Sequence, residues 1–465
     1  MFSHDAILIF WNCSGRVIQF VSPCLIALAT ASVVPPTVRL PETETLITGS
    51  QQTVSGKLLD VYLSIPYAQP PTGERRFKDP ESITNLPPQI NATQFPPSCC
   101  QINFEPIDHV NEIMSEDCLY LNIWTPSQKS HMSVLIFIYG GSFEFGSTDE
   151  LMNNPQYLAA RTDMVIVTMT NAAFGGNPES VTLYGTSAGS MAVALHLSIE
   201  ENRDLFHRAF LQSGTSNSGF FHFSNDLKNR ELDKFFEFLN CRENSSSVLE
   251  CLQSKTSKQI LDAEIKTYLS LVSVTFIPNF NRKLFSLSPI KDLNKTNIIL
   301  NKDILIGITK DEGSISIDST NYYFKNSNVT KQDAITFFYE SFGQSHSSEF
   351  IKNINGYLKD VSEHHYNNYS KAFKELLEDY YFRCPTFYFS NVMASKNNNV
   401  YFYYFTYQSE HKANNESIRH HGATHNENLQ YTMGLPQRDS INYTQKEIEF
   451  SNTMMDYIGN FSKYG

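Results

Sequence analysis

Residues 164–190 read MVIVTMTNAAFGGNPESVTLYGTSAGS, and this stretch decides the fold. It holds two β-branched apolar runs, Met164–Met169 and Val181–Tyr184, and the second is followed at once by a G-x-S-x-G. Runs that are apolar on both faces are typical of strands buried inside a parallel sheet. Only eleven residues separate them, whereas a crossover between parallel strands normally takes a dozen or more and usually forms a helix. The stretch therefore predicts two adjacent parallel strands whose crossover helix is missing.

The glycine-flanked serine after the second run has the context of a catalytic nucleophile. Gly185-Thr186-Ser187-Ala188-Gly189 follows a predicted strand and opens the apolar helical segment SAGSMAVALHL. The sharp strand-to-helix turn requires both glycines, because a Cβ at either flank would strike the neighbouring strand or helix. A bare G-x-S-x-G is common by chance, but this context makes it specific. Ser187 is therefore predicted to stand above the sheet at the positive N-terminus of a helix.

A glycine turn upstream follows another predicted strand, Val134–Tyr139. Gly140, Gly141 and Ser142 are small, so their backbone N–H groups can point at a developing negative charge. With the N–H of Ala188, those of Gly141 and Ser142 would form a three-donor oxyanion hole. Taken alone, the segment is better read as an ordinary turn after a strand.

The rest of the chain alternates strands with helices. Ile304–Ile308 and Val400–Tyr407 are further buried runs, and apolar residues recur at helical spacing around Phe235 and Phe373. No period of 20–50 residues repeats, which argues against a solenoid or a propeller. The alternation predicts an α/β fold with a mostly parallel central sheet and helices on both faces.

The charge of the chain limits its partners. Its 465 residues include 36 Lys and Arg against 48 Asp and Glu, which gives a net charge of −12. Because there is also no long basic block, neither nucleic acid nor anionic lipid is expected as a partner.

The N-terminal segment predicts export. Arg16 precedes the apolar run Val17–Val34, and Ala29-Thr30-Ala31 near its end matches a small-residue cleavage site. We expect residues 1–31 to be a signal peptide and residues 32–465 to be a secreted, extracellular domain. An uncleaved signal anchor is the alternative and the only expected route to a membrane, because no later apolar run approaches 18 residues.

Sequons and cysteines in the predicted mature region agree with export. Candidate glycosylation sites in N-x-[ST] context are Asn91, Asn244, Asn294, Asn328, Asn368, Asn415, Asn442 and Asn460. The cysteines are Cys99, Cys100, Cys118, Cys241, Cys251 and Cys384. Six cysteines allow fifteen full pairings, and six free thiols in a cytosolic enzyme are the alternative.

Stretches from Gly56 to the C-terminus resemble the carboxylesterase/cholinesterase family, the type B esterases of the α/β-hydrolase fold. The overall match is closer to a carboxylesterase than to a cholinesterase. The matching stretches occur in the family's order and read SIPYAQPP, SEDCLYLNIWTP, IYGGSFEFGS, AFGGNPESVTLYGTSAGS, FLQSG, KDEGS and HGATHNENLQYTMGLP. The resemblance implies a serine esterase that uses no cofactor.

The resemblance also assigns a catalytic triad. Ser187 matches the nucleophile, Glu312 in KDEGS the acid and His425 the base, in the chain order of this fold. His425 would accept the Ser187 proton and later protonate the leaving alcohol, while Glu312 fixes its tautomer. A metal site at His420, His421 and His425 is the competing reading. The glycine between the last two and the Asn-rich surroundings argue against the helix that it would need, and no nearby cysteine adds a ligand.

The same resemblance implies two disulfides and one unpaired cysteine. Cys99 would pair with Cys118, and Cys241 with Cys251. Cys384 matches a cysteine whose partner lies further along in relatives, so it is expected to be unpaired.

The missing crossover is the first departure from the family pattern. Relatives insert a few dozen residues, including a helix, where this chain has Thr170-Asn171. One sheet face beside the nucleophile strand is therefore expected to lose its cover. Exposed apolar surface would cost several kcal/mol at about 25 cal/mol per Å².

Three further departures concern the substrate. Ser142 stands where the family usually has a third glycine, and its Cβ narrows the approach to the oxyanion. Thr186 stands where relatives commonly carry glutamate, which removes a negative charge near the acyl site. Only Trp11 and Trp124 are present, and the Cys99–Cys118 loop holds no tryptophan to stack on a quaternary ammonium group.

These observations predict a serine hydrolase of carboxylic esters that forms an acyl-enzyme on Ser187 and acts on small neutral esters. Two alternatives remain. One is a catalytically impaired or non-catalytic adhesion or binding protein of the same fold. The other is a truncated product of splicing or of a faulty gene model.

Overall fold

A nine-stranded sheet forms the centre of the molecule. The computed structural model describes residues 34–83, 85–102, 113–168, 175–221, 225–241, 248–271, 276–278, 293, 301–316, 330–333, 335–336, 348–359, 366–410 and 422–465. The strands, numbered along the chain, are β1 (Thr37–Arg39), β2 (Leu46–Thr48), β3 (Ser50–Val54), β4 (Lys57–Pro66), β5 (Gln89–Asn91), β6 (Ser98–Cys99), β7 (Met114–Ser115), β8 (Tyr120–Pro126), β9 (Met132–Ile138), β10 (Val165–Thr168), β11 (Gly176–Thr186), β12 (Arg208–Gln212), β13 (Asp303–Thr309) and β14 (Asn399–Phe405).

Helices flank this sheet. The α-helices are α1 (Gln156–Thr162), α2 (Ala188–His196), α3 (Asn225–Leu239), α4 (Val248–Ser254), α5 (Ser257–Leu271), α6 (Ser348–Tyr357), α7 (Tyr366–Glu378), α8 (Cys384–Ser395), α9 (Glu427–Met433), α10 (Leu435–Arg438) and α11 (Gln445–Tyr464). A five-residue π-helical turn, Asp379–Arg383, joins α7 to α8.

The order of the central sheet is β14-β13-β12-β11-β9-β10-β8-β4-β3. The pairs from β14 through β12 and β11 to β9 and β10 are parallel, and those joining β10, β8, β4 and β3 are antiparallel. The predicted fold class, a mostly parallel sheet with helices on both faces, is confirmed. β1, β2 and β5 form a separate small sheet.

Alternating side chains of β9 divide the core into two clusters, because successive residues of a strand point to opposite faces. Val134 and Ile136 belong to one cluster, which also includes residues of α2 and α8. Leu135 and Phe137 belong to the other, which includes residues of α1, α9 and α11. The continuous apolar run therefore serves both faces of the sheet, as expected for a central parallel strand.

The connection into the nucleophile strand is shorter than the sequence predicted. β10 ends at Thr168 and β11 begins at Gly176, so seven residues connect them, of which 169–174 lie outside the described residues. The predicted eleven-residue gap was wrong, because β11 extends back to pair Gly176 with Met132, with a register shift before Val181. The two strands are also not adjacent, since β9 lies between them.

The apolar side chains of β10 next to this connection are buried, so the predicted loss of cover was wrong for β10, although Leu183 of β11 is only partly buried. Val165 and Val167 are fully buried, and Ile136 is 3 % exposed. The physical reason is that Ile47 of β2 and Ala92, the residue directly after β5, are buried in the same cluster as these strands. The burial of these strands therefore does not depend on a crossover helix alone.

From Pro36 to Gly465 the described residues form one compact unit. The predicted signal peptide, residues 1–31, lies outside the described residues. Among the helices that the structure describes, none combines the length and hydrophobicity needed to span a bilayer.

Candidate active site

Ser187 lies at the sharp turn between β11 and α2. Its backbone has φ 53° and ψ −125°, a strained conformation for a residue with a side chain. Its N–H donates to the carbonyl of Gln212 at 2.8 Å, which ties the turn to β12. A Cβ on Gly185 would lie 2.3 Å from the oxygen of Gly189, and one on Gly189 would lie 2.1 Å from the oxygen of Ile138. Both flanking glycines are therefore required for the turn.

The structure brings the three predicted triad residues together. Ser187 Oγ lies 2.8 Å from His425 Nε2, and His425 Nδ1 lies 2.5 Å from Glu312 Oε2. Glu312 is fully buried, and its other oxygen, Oε1, accepts the N–H of Thr309 at 2.7 Å. The ring of Phe382, from the π-helical turn, packs against the His425 ring with 4.6 Å between centroids. Both carboxylate oxygens and both ring nitrogens thus have partners.

The segment that carries His425 is anchored on both sides of the ring. Asp311, next to Glu312, accepts the N–H of Ala423 at Oδ2. On the other side, the Thr186 hydroxyl donates to Asn426 Oδ1 at 2.6 Å. Neither anchor contact is marked by a sequence motif. Asp311 was visible in KDEGS, but only the folded chain brings Asn426 to Thr186.

The glycine turn after β9 lies directly against the nucleophile. A Cβ on Gly140 would lie 2.9 Å from the Ser187 Cβ. Gly141 and Ser142 have φ of 118° and 55°, so the loop turns through the left-handed region. Glu144 and Phe145 donate their N–H groups back to the Gly141 carbonyl. The turn that carries the predicted donors, Gly141 and Ser142, therefore packs against Ser187 at Gly140.

Two cavities adjoin the glycine turn. One of about 410 Å³ is lined by Gly140, Ala188 and Gly189, among others. The second, of about 340 Å³, lies between Glu144 and Glu264. Both have space for a small organic ligand.

Glu264, on α5, is an acid that lines the second cavity and that the sequence did not predict. It is 6 % exposed. Burial, and then the negative charge of Glu144, raise its pKa to about 7. The same cavity is lined by Arg76 and Glu116, which form an ion pair with each other. No sequence motif marks Glu264, because its environment comes from segments far apart in the chain.

The structure contains the two disulfides that the resemblance implied. Cys99 is bonded to Cys118 and Cys241 to Cys251. Among the described cysteines, Cys100 and Cys384 are free.

Three of the predicted glycosylation sites have exposed residues in the structure, namely Asn91, Asn442 and Asn460. Asn368 lies within α7. The others fall outside the described residues and stay predictions: Asn244, Asn294, Asn328 and Asn415.

The other side chains that the sequence analysis weighed do not line the site in the described part of the chain. Trp124 is 1 % exposed and belongs to the core under the sheet. Trp11 lies outside the described residues, as do His420 and His421 of the competing metal reading.

Comparison of the sequence with known proteins finds relatives among the cholinesterases. The chain is 29% identical over 490 residues to a cholinesterase of Mus musculus. The aligned region covers 90% of this chain and 77% of the relative. It is 29% identical over 478 residues to an acetylcholinesterase of Bungarus fasciatus, with the same shares covered. It is 27% identical over 485 residues to an acetylcholinesterase of Electrophorus electricus, covering 87% of this chain and 76% of the relative.

The family model described as "Carboxylesterase family" matches in two segments, residues 35–171 and 170–465. The two segments meet at Thr170 and Asn171, where the family resemblance implies that relatives carry an insertion. Together they span nearly all of the chain after the predicted signal peptide. The chain therefore belongs to the carboxylesterase family of α/β-hydrolase-fold serine ester hydrolases.

Proposed function

We propose that the chain hydrolyses carboxylic esters through an acyl-enzyme on Ser187, with His425 as base and Glu312 as acid. The observation that carries the proposal is the pair of contacts from Ser187 Oγ to His425 at 2.8 Å and from His425 to Glu312 at 2.5 Å. A nucleophile needs a base within about 3 Å, and the base needs a third group that orients it. The family assignment supports the same chemistry.

The reaction then follows from the geometry. His425 Nε2 takes the Ser187 proton as Oγ attacks the ester carbonyl, and the buried Glu312 carboxylate stabilises the imidazolium that forms. The N–H groups of Gly141, Ser142 and Ala188 are the proposed donors to the oxyanion. His425 next protonates the leaving alcohol, and water attacks the acyl-enzyme by the same route. Side chains and backbone supply every step, so the proposal includes no cofactor.

Small neutral esters are the proposed substrates. Thr186 carries no charge beside the nucleophile, and its hydroxyl is engaged by Asn426. Trp124 is buried in the core, away from any role in stacking on a quaternary ammonium group. We therefore expect acetylcholine to be a poor substrate, in line with a carboxylesterase-like rather than a cholinesterase-like preference.

We further propose that the mature domain, residues 32–465, is a secreted glycoprotein. The predicted signal peptide, the eight sequons and the disulfides Cys99–Cys118 and Cys241–Cys251 support export, because disulfides persist in oxidising compartments. The proposed partner is a small neutral ester. Nucleic acid is not a proposed partner, and contact with a membrane is proposed only through an uncleaved leader.

The test compares the wild-type chain with Ser187→Ala on 4-nitrophenyl acetate and acetylcholine, with fluorophosphonate labelling of the serine. We expect hydrolysis of the aryl ester and labelling, both lost in the variant, and little turnover of acetylcholine. Full hydrolysis by a folded Ser187→Ala protein would overturn the assignment of the nucleophile. A folded wild-type chain that neither hydrolyses nor labels would favour a non-catalytic binding protein. A wild-type chain that does not fold would favour a truncated product.

A further inference from the structure

One side-chain hydrogen bond joins the residue before the proposed nucleophile to the residue after the proposed base. Thr186 Oγ1 donates to Asn426 Oδ1 at 2.6 Å, across 240 positions of sequence. Thr186 is the last residue of β11 and is 1 % exposed. A buried hydroxyl that lost this acceptor would have no water to replace it, so the bond is one that the fold must keep.

Asn426 occupies a helix N-cap position, but its side chain does not cap the helix. Asn426 is the N-cap of α9, a position where an asparagine oxygen normally accepts an N–H of the first helical turn. Its side chain makes no such capping bond here. Its φ of 65° lies in the left-handed region, which asparagine tolerates better than most residues. The oxygen is turned instead toward Thr186.

Other bonds hold α9 to the sheet, through residues that are not next to Ser187 or His425 in the chain. Tyr184 Oη bonds Thr432 at 2.9 Å, and Gln212 Nε2 donates to Asn428 at 2.8 Å. Among the described residues, the Thr186–Asn426 bond is the one whose two partners are each covalently next to a reacting residue. The bond therefore links the segment that carries Ser187 to the segment that carries His425.

We infer that Thr186 and Asn426 are positioning residues for proton transfer between Ser187 and His425. The inference rests on the proposed function. Their bond keeps His425 Nε2 within reach of Oγ in both acylation and deacylation, when the imidazole must move its proton between two oxygens. Misplacement of a catalytic group by about 1 Å can lower the rate about 100-fold, so the loss of a single supporting bond can have an effect of this size.

The central variant is Thr186→Val, which keeps the shape of the side chain and removes the donor. We expect kcat for 4-nitrophenyl acetate to fall about 10- to 100-fold with KM changed less than about threefold, and fluorophosphonate labelling to slow by a similar factor. Thr186→Ser should restore most of kcat. Asn426→Gly keeps a backbone suited to the left-handed region and should lower kcat as Thr186→Val does. The double variant should be no worse than the poorer single variant, because both remove one bond.

Thr182→Val is the matched control. Thr182 lies four residues earlier on the same face of β11, is fully buried, and its hydroxyl has no hydrogen-bond partner among the residues that the structure describes. This variant should keep kcat, and melting temperatures of all variants report on folding.

The inference is overturned if folded Thr186→Val keeps kcat within about twofold of wild type, or if Thr182→Val loses kcat equally. Additive losses in the double variant would also overturn it. Failure of the proposed function looks different, because then the wild-type chain itself would neither hydrolyse the ester nor take the fluorophosphonate label.

Discussion

The backbone N–H of Ala423 donates to Asp311 Oδ2 at 3.0 Å, which ties the segment before His425 to the turn that carries Glu312. Lys374 Nζ, on α7, donates a hydrogen bond to Oδ1 of the same carboxylate at 2.7 Å. One aspartate thus sets the spacing between two of the proposed triad residues, although it contacts neither the nucleophile nor the imidazole in this arrangement.

Replacing Asp311 by alanine should lower both stability and activity. The change leaves the Ala423 N–H and the half-buried Lys374 ammonium without their acceptor, at a cost of about 1–3 kcal/mol. Asp311→Asn keeps an oxygen for Ala423 and should retain more of kcat. Urea unfolding and the kcat of ester hydrolysis measure the two effects. Wild-type values for Asp311→Ala would show that the His425 segment is held by other contacts.

Glu312→Gln should reduce kcat by about 10²- to 10⁴-fold, with little change in KM. The carboxylate accepts two donors, Thr309 N–H and His425 Nδ1, on separate oxygens. An amide has one oxygen, so one donor loses its acceptor or the ring takes the wrong tautomer. Steady-state kinetics with a melting curve as a folding control provide the measurement. A folded Glu312→Gln protein of near-normal kcat would remove Glu312 from the triad.

Ser142→Gly should stabilise the fold by about 0.5–1 kcal/mol, because Ser142 holds a left-handed φ that a Cβ disfavours. It should also raise kcat/KM for bulkier esters by widening the approach to the oxyanion. Ser142→Ala is the control, since it keeps the Cβ and should change neither quantity. Thermal unfolding of the three proteins and a series of acyl chain lengths test this. Equal gains in both variants would mean that the hydroxyl, not the Cβ, is responsible.

Glu264 should make stability depend on pH. Its pKa is raised by burial and by Glu144, so the folded state favours the protonated carboxyl. This contribution is fully present below the ordinary pKa of about 4.5 and is lost as the pH rises to about 7. The loss is at most about 3 kcal/mol.

Glu264→Gln should therefore gain stability relative to wild type between pH 5 and pH 8. Glu144, Tyr268, Arg76 and Glu116 face or line the same region and keep their own contributions in both proteins. Asp262→Asn, on the same helix, is the matched control. Parallel pH profiles for wild type and Glu264→Gln would contradict the assignment.

Much of this fold could be predicted because its signals are local. The apolar runs of β9, β10 and β13 mark buried strands, and the steric demand at Gly185 and Gly189 marks the turn that carries Ser187. The start of β11 could not be predicted, because Gly176 and Asn177 carry no strand signal and are recruited by pairing with Met132. Nor could the residues that cover Val165 be predicted, since they include Ile47 of the small sheet, more than a hundred positions away.

The residues of the candidate site also differ in whether a local pattern in the sequence predicts them. Ser187 follows from local turn chemistry, whereas the turn with the proposed oxyanion donors reads alone as an ordinary turn, and Glu312 and His425 needed the family resemblance to be found. Asn426 and Glu264 depend on contacts between distant segments, and no local pattern distinguishes them from the surface polar residues around them.

The contacts among Ser187, Glu312 and His425 join residues 113 and 238 positions apart. Such long-range closure makes folding slow, because the chain loses loop entropy before these contacts form. None of the three can meet its partner until β11, β12 and β13 are paired and α9 has docked. During refolding, reactivity toward a fluorophosphonate should therefore return after the far-ultraviolet signal of helices and strands. The active site is in this sense a late reporter of complete folding.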